Sequence, residues 1–360
     1  MASRATIHDV ARRAGCSVAT VSRVLNGTGP ASQAVRARVA EAVSYLGFRF
    51  NEIGRSLQAR RSRTLGILVP SLSNPVFAAV LDGVQATARE RGYQLLLSCC
   101  NYDVAQETAA IETLLANQVD GLILTLSDAD GSVDLAELSR DAVPYVLLFN
   151  QPGKGQPAVT VDNRAAARRV AAVLLEVGHR EVAYVAGRFC SSDRSRQRFE
   201  GFVEAYESAG APTPRLLEVD YTSFDHRRAL AGLLSERPAV SALFCSNDML
   251  ALAVMGALRR LGRRVPEEIS VVGFDGIDVA ALNAPSLATI ATPCPDMGRQ
   301  AAERLIAAVE EDRLPAPQTL LLPFEFRPGE SIAPGPVRNP LPASGHSPAD
   351  ARLHPVSPEE

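Results

Sequence analysis

Four polar side chains and an arginine near the start of the chain have the types and spacing that bind phosphates and base edges. Ser17, Thr20, Ser22 and Asn26 occur close together, and Arg23 lies among them. Hydroxyl and amide groups donate hydrogen bonds to phosphate oxygens, and an arginine guanidinium can reach O6 and N7 of guanine. These residues predict contacts with double-stranded DNA.

The elements that must position these side chains are two short helices joined by a glycine turn. In the stretch TIHDVARRAGCSVATVSRVLNG, Thr6 is a good N-cap, Gly15 can adopt the positive φ of a tight turn, and Ser17 begins a second apolar-periodic run. A third helix begins at a Ser32 cap. In a helix-turn-helix the second helix enters the major groove with its N-terminal residues facing the bases. The predicted DNA-binding residues of this segment are Thr6, Ser17, Val18, Ala19, Thr20, Ser22, Arg23, Asn26 and Ser32.

Charge is segregated in a way that agrees with this prediction. Residues 1–63 contain eleven arginines and three acidic residues, a net charge of +8, whereas the rest of the chain has 26 basic and 37 acidic residues, a net charge of −11. A basic segment on an acidic body indicates that the segment meets a polyanion and the body avoids it. The alternative for residues 6–48 is a helical bundle that binds no DNA.

From Thr64 onward the chain alternates short apolar strands with amphipathic helices. TLGILVP, QLLLSCC and VDGLILT predict strands separated by helices, and the same rhythm restarts after AVTVDN with VAYVAG, ALFCS and ISVVGFD. This order favours parallel sheets with helices on both faces, in two similar halves.

The N-terminal motif and the following VRARVAEAVSYLGF resemble the headpiece of the LacI/GalR family of transcriptional regulators, and the resemblance continues to about Pro328. It implies an N-terminal all-α helix-turn-helix headpiece and an α/β core of two periplasmic-binding-protein-like lobes with parallel sheets. The implied divisions are a headpiece at 1–50, a hinge helix or linker at 51–63, and a core at 64–328, with a first lobe of about 64–160 plus 292–322 and a second of about 161–291 plus 323–328.

The resemblance also assigns a role to residues 51–60, NEIGRSLQAR, as a hinge helix. In the family, paired hinge helices of a dimer lie in the minor groove, and a leucine that corresponds to Leu57 wedges between base pairs. Two residues depart from the family pattern: Phe50 stands where a proline is usual, and Gly54 replaces a helix-favouring alanine. Leu57 has the alternative role of an ordinary linker or core leucine.

A small-molecule site is expected where the strands end, because ligands of open α/β sheets bind in the loops at the carboxyl ends. By resemblance, Arg198 and Asp275 match effector-holding positions, Asn247 matches one in sugar-responsive members, and Phe77 and Tyr221 match aromatic contacts. Arg198 and Asp275 have the alternative of pairing with each other to hold the lobes. The full predicted effector set is Phe77, Asn150, Arg194, Arg198, Tyr221, Asn247 and Asp275. Such a set suits a sugar or another small polar metabolite.

Two other classes of protein compete with this interpretation. A periplasmic sugar-binding protein would share the core but would carry a signal peptide and no basic headpiece. An enzyme would need a catalytic set such as Asp275, His179 and Ser191, yet the sequence contains no GxSxG, Walker or strand-following GxGxxG motif. We therefore predict a cytoplasmic regulator with no catalytic residues, metal, cofactor or membrane segment.

The C-terminal residues 329–360 are rich in proline and contain no heptad repeat. This composition predicts a disordered tail. Some members of the family tetramerise through a C-terminal leucine-heptad helix, so its absence here favours a homodimer.

Overall fold

A computed structural model of the chain describes residues 5–336, except for residues 27, 28, 49–60, 154, 222 and 224. The predicted hinge helix at 51–60 and its wedge residue Leu57 lie outside the described residues. Within the described ranges, no helix is both long enough and apolar enough to cross a membrane.

Three short helices form the N-terminal headpiece, and their bounds are α1 Ile7–Ala14, α2 Val18–Asn26 and α3 Gln33–Leu46. Thr6 caps α1 with its side chain, and Gly15 ends that helix with a φ of 63°. Val10, Val21 and Val39, one from each helix, are fully buried between them. The predicted helix-turn-helix with a third helix packed behind it is confirmed.

The first lobe is built on a parallel sheet of six strands in the order β11-β5-β4-β3-β1-β2. The strands are β1 Thr64–Val69, β2 Gln94–Cys99, β3 Gly121–Leu124, β4 Tyr145–Leu148, β5 Ala158–Val161 and β11 Thr319–Leu322. The connecting helices are α4 Pro75–Glu90, α5 Val104–Ala116 and α6 Val133–Arg140. Because neighbouring strands all run the same way, their carboxyl ends meet at one edge of the sheet.

The second lobe has a six-stranded sheet in the order β12-β10-β9-β8-β6-β7. Its strands are β6 Val182–Gly187, β7 Arg215–Val219, β8 Ala242–Cys245, β9 Ser270–Asp275, β10 Ala288–Ala291 and β12 Glu325–Arg327. Its helices are α7 Asn163–Glu176, α8 Asp193–Ser208, α9 Arg227–Ser235, α10 Asp248–Arg260 and α11 Asp278–Ala281. Strand β12 is antiparallel to β10, because the chain enters this lobe from the edge at which the other strands end.

Helix α12, Cys294–Glu310, returns the chain to the first lobe and packs against α4. Two glycines allow the helices to approach closely. A Cβ atom on Gly83 would lie 2.0 Å from the carbonyl oxygen of Pro295, and one on Gly298 would lie 2.0 Å from that of Val80. A side chain at either position would therefore force the helices apart.

The C-terminal segment differs from the sequence prediction in one respect, because residues 329–336 are ordered against the second lobe. Ser331 is fully buried, its hydroxyl donates to the Val271 carbonyl at 2.6 Å, and its oxygen accepts the Ala288 amide at 2.9 Å. The Ala333 carbonyl lies 2.9 Å from Nε2 of His179. The prediction of disorder from residue 329 onward is wrong for these eight residues, since composition does not reveal that Ser331 and Ala333 hydrogen-bond to residues of the second lobe.

Truncation of the chain measures how much residues 329–336 contribute to the free energy of unfolding. We expect a chain that ends at residue 328 to lose several kcal/mol of unfolding free energy, because each lost buried hydrogen bond leaves a partner unsatisfied at about 1–3 kcal/mol. A chain that ends at residue 336 is the matched control and should keep the full melting temperature. Equal melting temperatures for the two truncations would contradict this role of residues 329–336.

Candidate DNA-binding face and effector cleft

The exposed side of α2 carries several of the predicted DNA-binding residues. Ser17, Ala19 and Arg23 are exposed, and Thr20 is half-buried. The Ser17 oxygen accepts the Thr20 amide at 3.1 Å, and the two hydroxyl oxygens lie 2.9 Å apart. The Arg23 side chain folds back so that its Nε donates to the Ala19 carbonyl at 3.3 Å. The exposed side of α2 therefore presents hydroxyl groups near its start and one guanidinium, that of Arg23, in its last turn.

The remaining predicted DNA-binding residues have structural roles of their own. Thr6 and Ser32 are exposed and cap α1 and α3 with their side chains. Val18 is half-buried against the headpiece core, and Ser22 is half-buried on α2. Asn26 ends α2, and its side chain lies outside the described part of the structure.

The carboxyl ends of the two sheets face each other across a cleft that contains a polar cavity. The residues that line it are Asn74, Val76, Phe77, Tyr102, Phe149, Ser192, Arg194, Arg198, Tyr221, Ser246, Asn247 and Asp275. Six of the seven residues predicted to bind an effector are among them. A second, adjoining cavity shares Asn74, Tyr102, Tyr221 and Asn247.

Asp275 is the acidic group of this cavity, and its backbone is strained. It ends β9 with a φ of 119°, a region that residues other than glycine rarely occupy. Its Oδ2 accepts a hydrogen bond from Nδ2 of Asn74, in the other lobe, at 3.3 Å. Burial raises the pKa of Asp275 to about 6, while the charge of Arg198 and the Asn74 hydrogen bond lower it. Because strained backbone conformations cluster at functional sites, the φ of Asp275 supports a functional role for this residue.

Asp248 begins α10 and also holds the turn that follows Asp275. Its Oδ2 accepts the amides of Gly276 and Ile277 at 2.7 and 2.9 Å, and its Oδ1 accepts the Thr289 hydroxyl at 2.6 Å. Burial and the nearby charge of Asp275 raise the pKa of Asp248 to about 8, against these three hydrogen bonds. The signal available in the sequence was a carboxylate placed just after a strand end.

Arg198 is one of two buried arginines that line the cavity, the other being Arg194. The Arg198 guanidinium lies 3.4 Å from the centre of the Phe274 ring, its Nε donates to Oδ1 of Asn163 at 2.9 Å, and its Nη1 donates to the Ser246 carbonyl at 2.5 Å. Burial lowers its pKa, and the charge of Asp275 raises it. The guanidinium is thus held in place by groups other than Asp275.

The alternative of a structural pair between Arg198 and Asp275 has little geometric support. Among the described residues, no ion pair within 4.0 Å joins the two, and each makes its direct hydrogen bonds elsewhere. Both residues line the cavity, and the charge of Arg198 lowers the pKa of Asp275 without a direct contact between them. A ligand between them could contact both.

Asn150 is predicted to bind the effector, but in the structure its side chain joins the two lobes. It is fully buried, and its amide exchanges two hydrogen bonds of 2.9 Å with the backbone of Leu126. Its Nδ2 also donates to Oδ2 of Asp193, in the second lobe, at 2.8 Å. Both hydrogens of its Nδ2 are used, and Asn150 is not among the residues that line the cavity. An acid at this position would face the Asp193 carboxylate.

The start of α8 makes further contacts with the first lobe. The Asp193 amide donates to the Ser127 carbonyl at 2.7 Å, and the Arg194 Nη1 donates to the Leu126 carbonyl at 2.7 Å. Arg194 also pairs with Asp193 at 3.1 Å, and both side chains are almost fully buried. We call Leu126, Ser127, Asn150, Asp193 and Arg194 the interlobe clasp. Arg194 therefore lines the cavity and also holds the lobes together.

Six residues that line the cavity lie outside the predicted effector set, and Tyr102, Asn74 and Phe149 are three of them. Tyr102 follows the end of β2, and its ring lies 4.9 Å from that of Tyr221 across the cleft. Asn74 follows β1, and Phe149 follows β4, where its ring meets that of Phe77 at 5.5 Å. Phe149 directly follows its strand, whereas Tyr102 and Asn74 lie three and five residues beyond the ends of theirs. All three are in the loops to which the strand-end rule applies.

The residues of the enzyme alternative are not assembled into a catalytic set. His179 is buried with its ring nitrogens 2.8 Å and 3.0 Å from the hydroxyls of Ser241 and Ser270. Burial lowers its pKa. Neither Asp275 nor Ser191 is among its hydrogen-bond partners, so His179 serves to attach the C-terminal segment.

Two family models match the chain. Residues 6–51 match the model described as bacterial regulatory proteins of the lacI family, and residues 62–327 match that of periplasmic binding proteins and the sugar binding domain of the LacI family. Together the matches cover the headpiece and both lobes. They agree with the helix-turn-helix at the N-terminus and with the two-lobed core.

Similar proteins extend over almost the whole chain. It is 31% identical over 335 residues to the HTH-type transcriptional regulator DegA of Bacillus subtilis, covering 92% of this chain and 99% of that protein. It is 33% identical over 332 residues to the regulator GntR of Escherichia coli, covering 91% and 99%. The solved structure of the lac repressor dimer bound to operator and the anti-inducer ONPF has a TM-score of 0.80 and 25% identity, covering 92% and 100%. The chain therefore belongs to the LacI family of bacterial regulatory proteins and is a helix-turn-helix transcriptional regulator, not an enzyme.

Proposed function

We propose that the protein is a homodimeric repressor in the cytoplasm that binds an operator of two inverted half-sites and responds to a small polar effector. The observation that carries this proposal is the presence on one chain of two features. One is the outer side of α2, with Ser17, Thr20 and Arg23. The other is a buried polar cavity between two lobes, with Arg198 and Asp275 on its wall.

Each headpiece would read one half-site in the major groove. Ser17 stands at the N-terminus of α2, where backbone amides and the helix dipole favour a phosphate group. Arg23 is exposed on the same helix and long enough to reach a guanine. The net charge of +8 on residues 1–63 would supply a strong non-specific attraction to DNA.

The effector would be a sugar or a related metabolite with several hydroxyl groups. Asp275 accepts hydrogen bonds, whereas Arg198 and Asn247 donate them, so together they can bind neighbouring hydroxyls. The rings of Phe77 and Tyr221 can pack on an apolar face of the ligand. A thermal-shift screen of the 64–336 core against sugars, polyols, nucleobases and sugar acids tests this proposal, since a bound ligand raises the melting temperature by mass action.

Effector binding would change the operator affinity by changing how the lobes close. The cleft is bridged by Asn74 with Asp275 and by the interlobe clasp, so any ligand in the cavity acts directly on these contacts. The coupling must be reciprocal, and typical values are about 1–3 kcal/mol.

Arg23→Ala tests the assignment of α2 as the recognition helix. We expect operator affinity to fall by about 1–3 kcal/mol and the preference at one base position to relax, because a bidentate base contact is lost. Arg12→Ala removes the same charge from α1 and should weaken binding without changing the preferred bases. Binding-site selection from random duplexes with each variant measures both effects. An unchanged base preference in Arg23→Ala would count against this orientation.

Asp275→Asn tests the effector site. Because burial raises the pKa of the folded carboxyl from 3.8 to about 6, its ionisation costs the folded state about 3 kcal/mol between pH 4 and 7. We therefore expect the variant to melt at the same temperature as the wild type or higher at pH 7. Its melting temperature should no longer respond to the ligand found in the screen.

The pH dependence of binding follows from the same carboxyl. In the wild type, a ligand hydroxyl that donates a hydrogen bond to Asp275 competes with a proton for the carboxylate. The affinity for the ligand should therefore decrease below pH 6, by up to about tenfold per pH unit. Asp278→Asn, an exposed change of the same kind, is the control and should behave as the wild type. A low melting temperature of Asp275→Asn without ligand, together with a preserved ligand shift, would refute the binding role.

The oligomeric state tests the proposed mode of operator binding. A two-fold symmetric operator is read by a two-fold symmetric protein. We expect sedimentation equilibrium to give twice the 38.4 kDa chain mass at micromolar concentration. A stable tetramer or a monomer would contradict the proposal.

A further inference from the structure

The carboxylate of Asp120 fixes the point at which the DNA-binding segment joins the core. Its Oδ1 accepts the amide and the hydroxyl of Ser62 at 2.7 and 2.9 Å, and its Oδ2 accepts the amide of Arg63 at 2.8 Å. One half-buried side chain therefore holds the backbone of the two residues that directly precede β1. Charged acceptors make the stronger class of hydrogen bond.

The backbone at this junction is held in an uncommon conformation. Arg63 has a φ of 55°, although it has a full side chain. Its carbonyl accepts the Gln94 amide at 2.8 Å, and its Nη1 donates to the Arg91 carbonyl at 3.1 Å. A residue keeps such a conformation only where several surrounding contacts enforce it. Residues of this kind cluster at ligand-binding sites and switch regions. We call Ser62, Arg63 and Asp120 the linker joint.

Strand β3 begins at the linker joint and ends at the interlobe clasp. Asp120 immediately precedes β3, and Leu126 and Ser127 follow it within three residues. Leu126 is bonded to Asn150 and Arg194, and Ser127 accepts the Asp193 amide from the second lobe. At ~3.3 Å per residue, the joint and the clasp lie roughly 20 Å apart along one strand.

The strand between them is rigid. Its residues are completely buried, and it is hydrogen-bonded on one side to β1 and on the other to β4. Strand β1 itself starts at Thr64, directly after the joint, and its register pairs Leu65 with Gly121. Because close-packed interiors have low compressibility and transmit strain, we expect a displacement of Leu126 to be felt at the other end of β3.

We propose that Asp120 is the positioning residue that couples the cleft to the DNA-binding segment, by holding Ser62 and Arg63 to the base of β3 while the interlobe clasp acts on its other end. This inference rests on the proposed function, since it assumes that operator affinity depends on how the lobes close. It assigns a role to a residue outside both the headpiece and the effector cavity.

A double-mutant cycle on operator affinity tests the coupling. The probe is the duplex that the wild-type full-length chain selects from a random-sequence pool. Asn150→Asp disturbs the clasp by placing a second carboxylate against Asp193, and we expect it to change the operator Kd at least fivefold. In the Asp120→Asn background the same change should alter Kd less than twofold. An equal change in both backgrounds, or none in the wild-type background, would overturn the proposal.

Asp312→Asn is the matched control for Asp120→Asn. Asp312 is exposed at the same edge of the first lobe as Asp120, and both residues line one surface pocket. Its φ is 54°, a value that asparagine tolerates well. In this background Asn150→Asp should keep its full effect on operator binding. Loss of the effect here as well would show that any change at this edge uncouples the protein, and the specific role of Asp120 would be wrong.

Hydrogen exchange tests the joint without DNA or effector. In the full-length chain, Asp120→Asn should speed exchange of the Ser62 and Arg63 amides at least tenfold, whereas Asp312→Asn should leave it unchanged. Asn150→Asp should also alter their exchange, through β3. An effect of Asn150→Asp confined to residues 126, 127 and 193 would overturn the coupling. If the wild type selects no duplex, the proposed function fails, and exchange still decides whether the joint and the clasp are linked.

Discussion

The closed arrangement of the two lobes depends on the buried carboxylate of Asp193 and its contacts with Asn150 and Arg194. The carboxylate is almost fully buried, and burial raises its pKa, while Arg194 and Asn150 lower it. A buried charge without partners is costly, so this carboxylate requires groups from both lobes around it. That requirement explains why position 150 has an amide in this chain. It also explains why Arg194 reaches across to the Leu126 carbonyl.

Closure in turn creates the polar cavity. Asn74 reaches Asp275 and Tyr102 meets Tyr221 only because the carboxyl ends of the two sheets are held face to face. The cavity combines a carboxylate whose ionisation is opposed by burial with a guanidinium fixed over Phe274. Both are oriented by residues that do not line the cavity, Asp248 and Asn163. The site is therefore organised before any ligand enters, which lowers the entropic cost of binding.

The first lobe connects this cavity to the DNA-binding segment through elements that do not deform easily. Strand β3 is buried along its whole length, and α12 lies so close to α4 that Gly83 and Gly298 admit no side chain. At the far end of α12, Glu310 pairs with Arg91 and its carbonyl accepts Nη2 of Arg61. Both elements thus run from the cleft to residues 61–63, where the headpiece is joined.

The sequence by itself determined the local elements and the residue types of the site. Caps, glycine turns and apolar periodicity predicted the headpiece helices, because these signals act within a few residues. The strand-end rule, together with the family resemblance, located Arg198, Tyr221, Asn247 and Asp275, because in a parallel sheet every strand delivers its carboxyl end to the same edge. Only the tertiary structure decided how each polar group is used. Asn150 and Asp193 are 43 residues apart, and whether an amide faces a ligand or a buried carboxylate depends on the packing of two lobes. The same holds for Asp120, whose partners lie 57 and 58 residues away, and for Ser331, which is buried although it stands in a proline-rich segment.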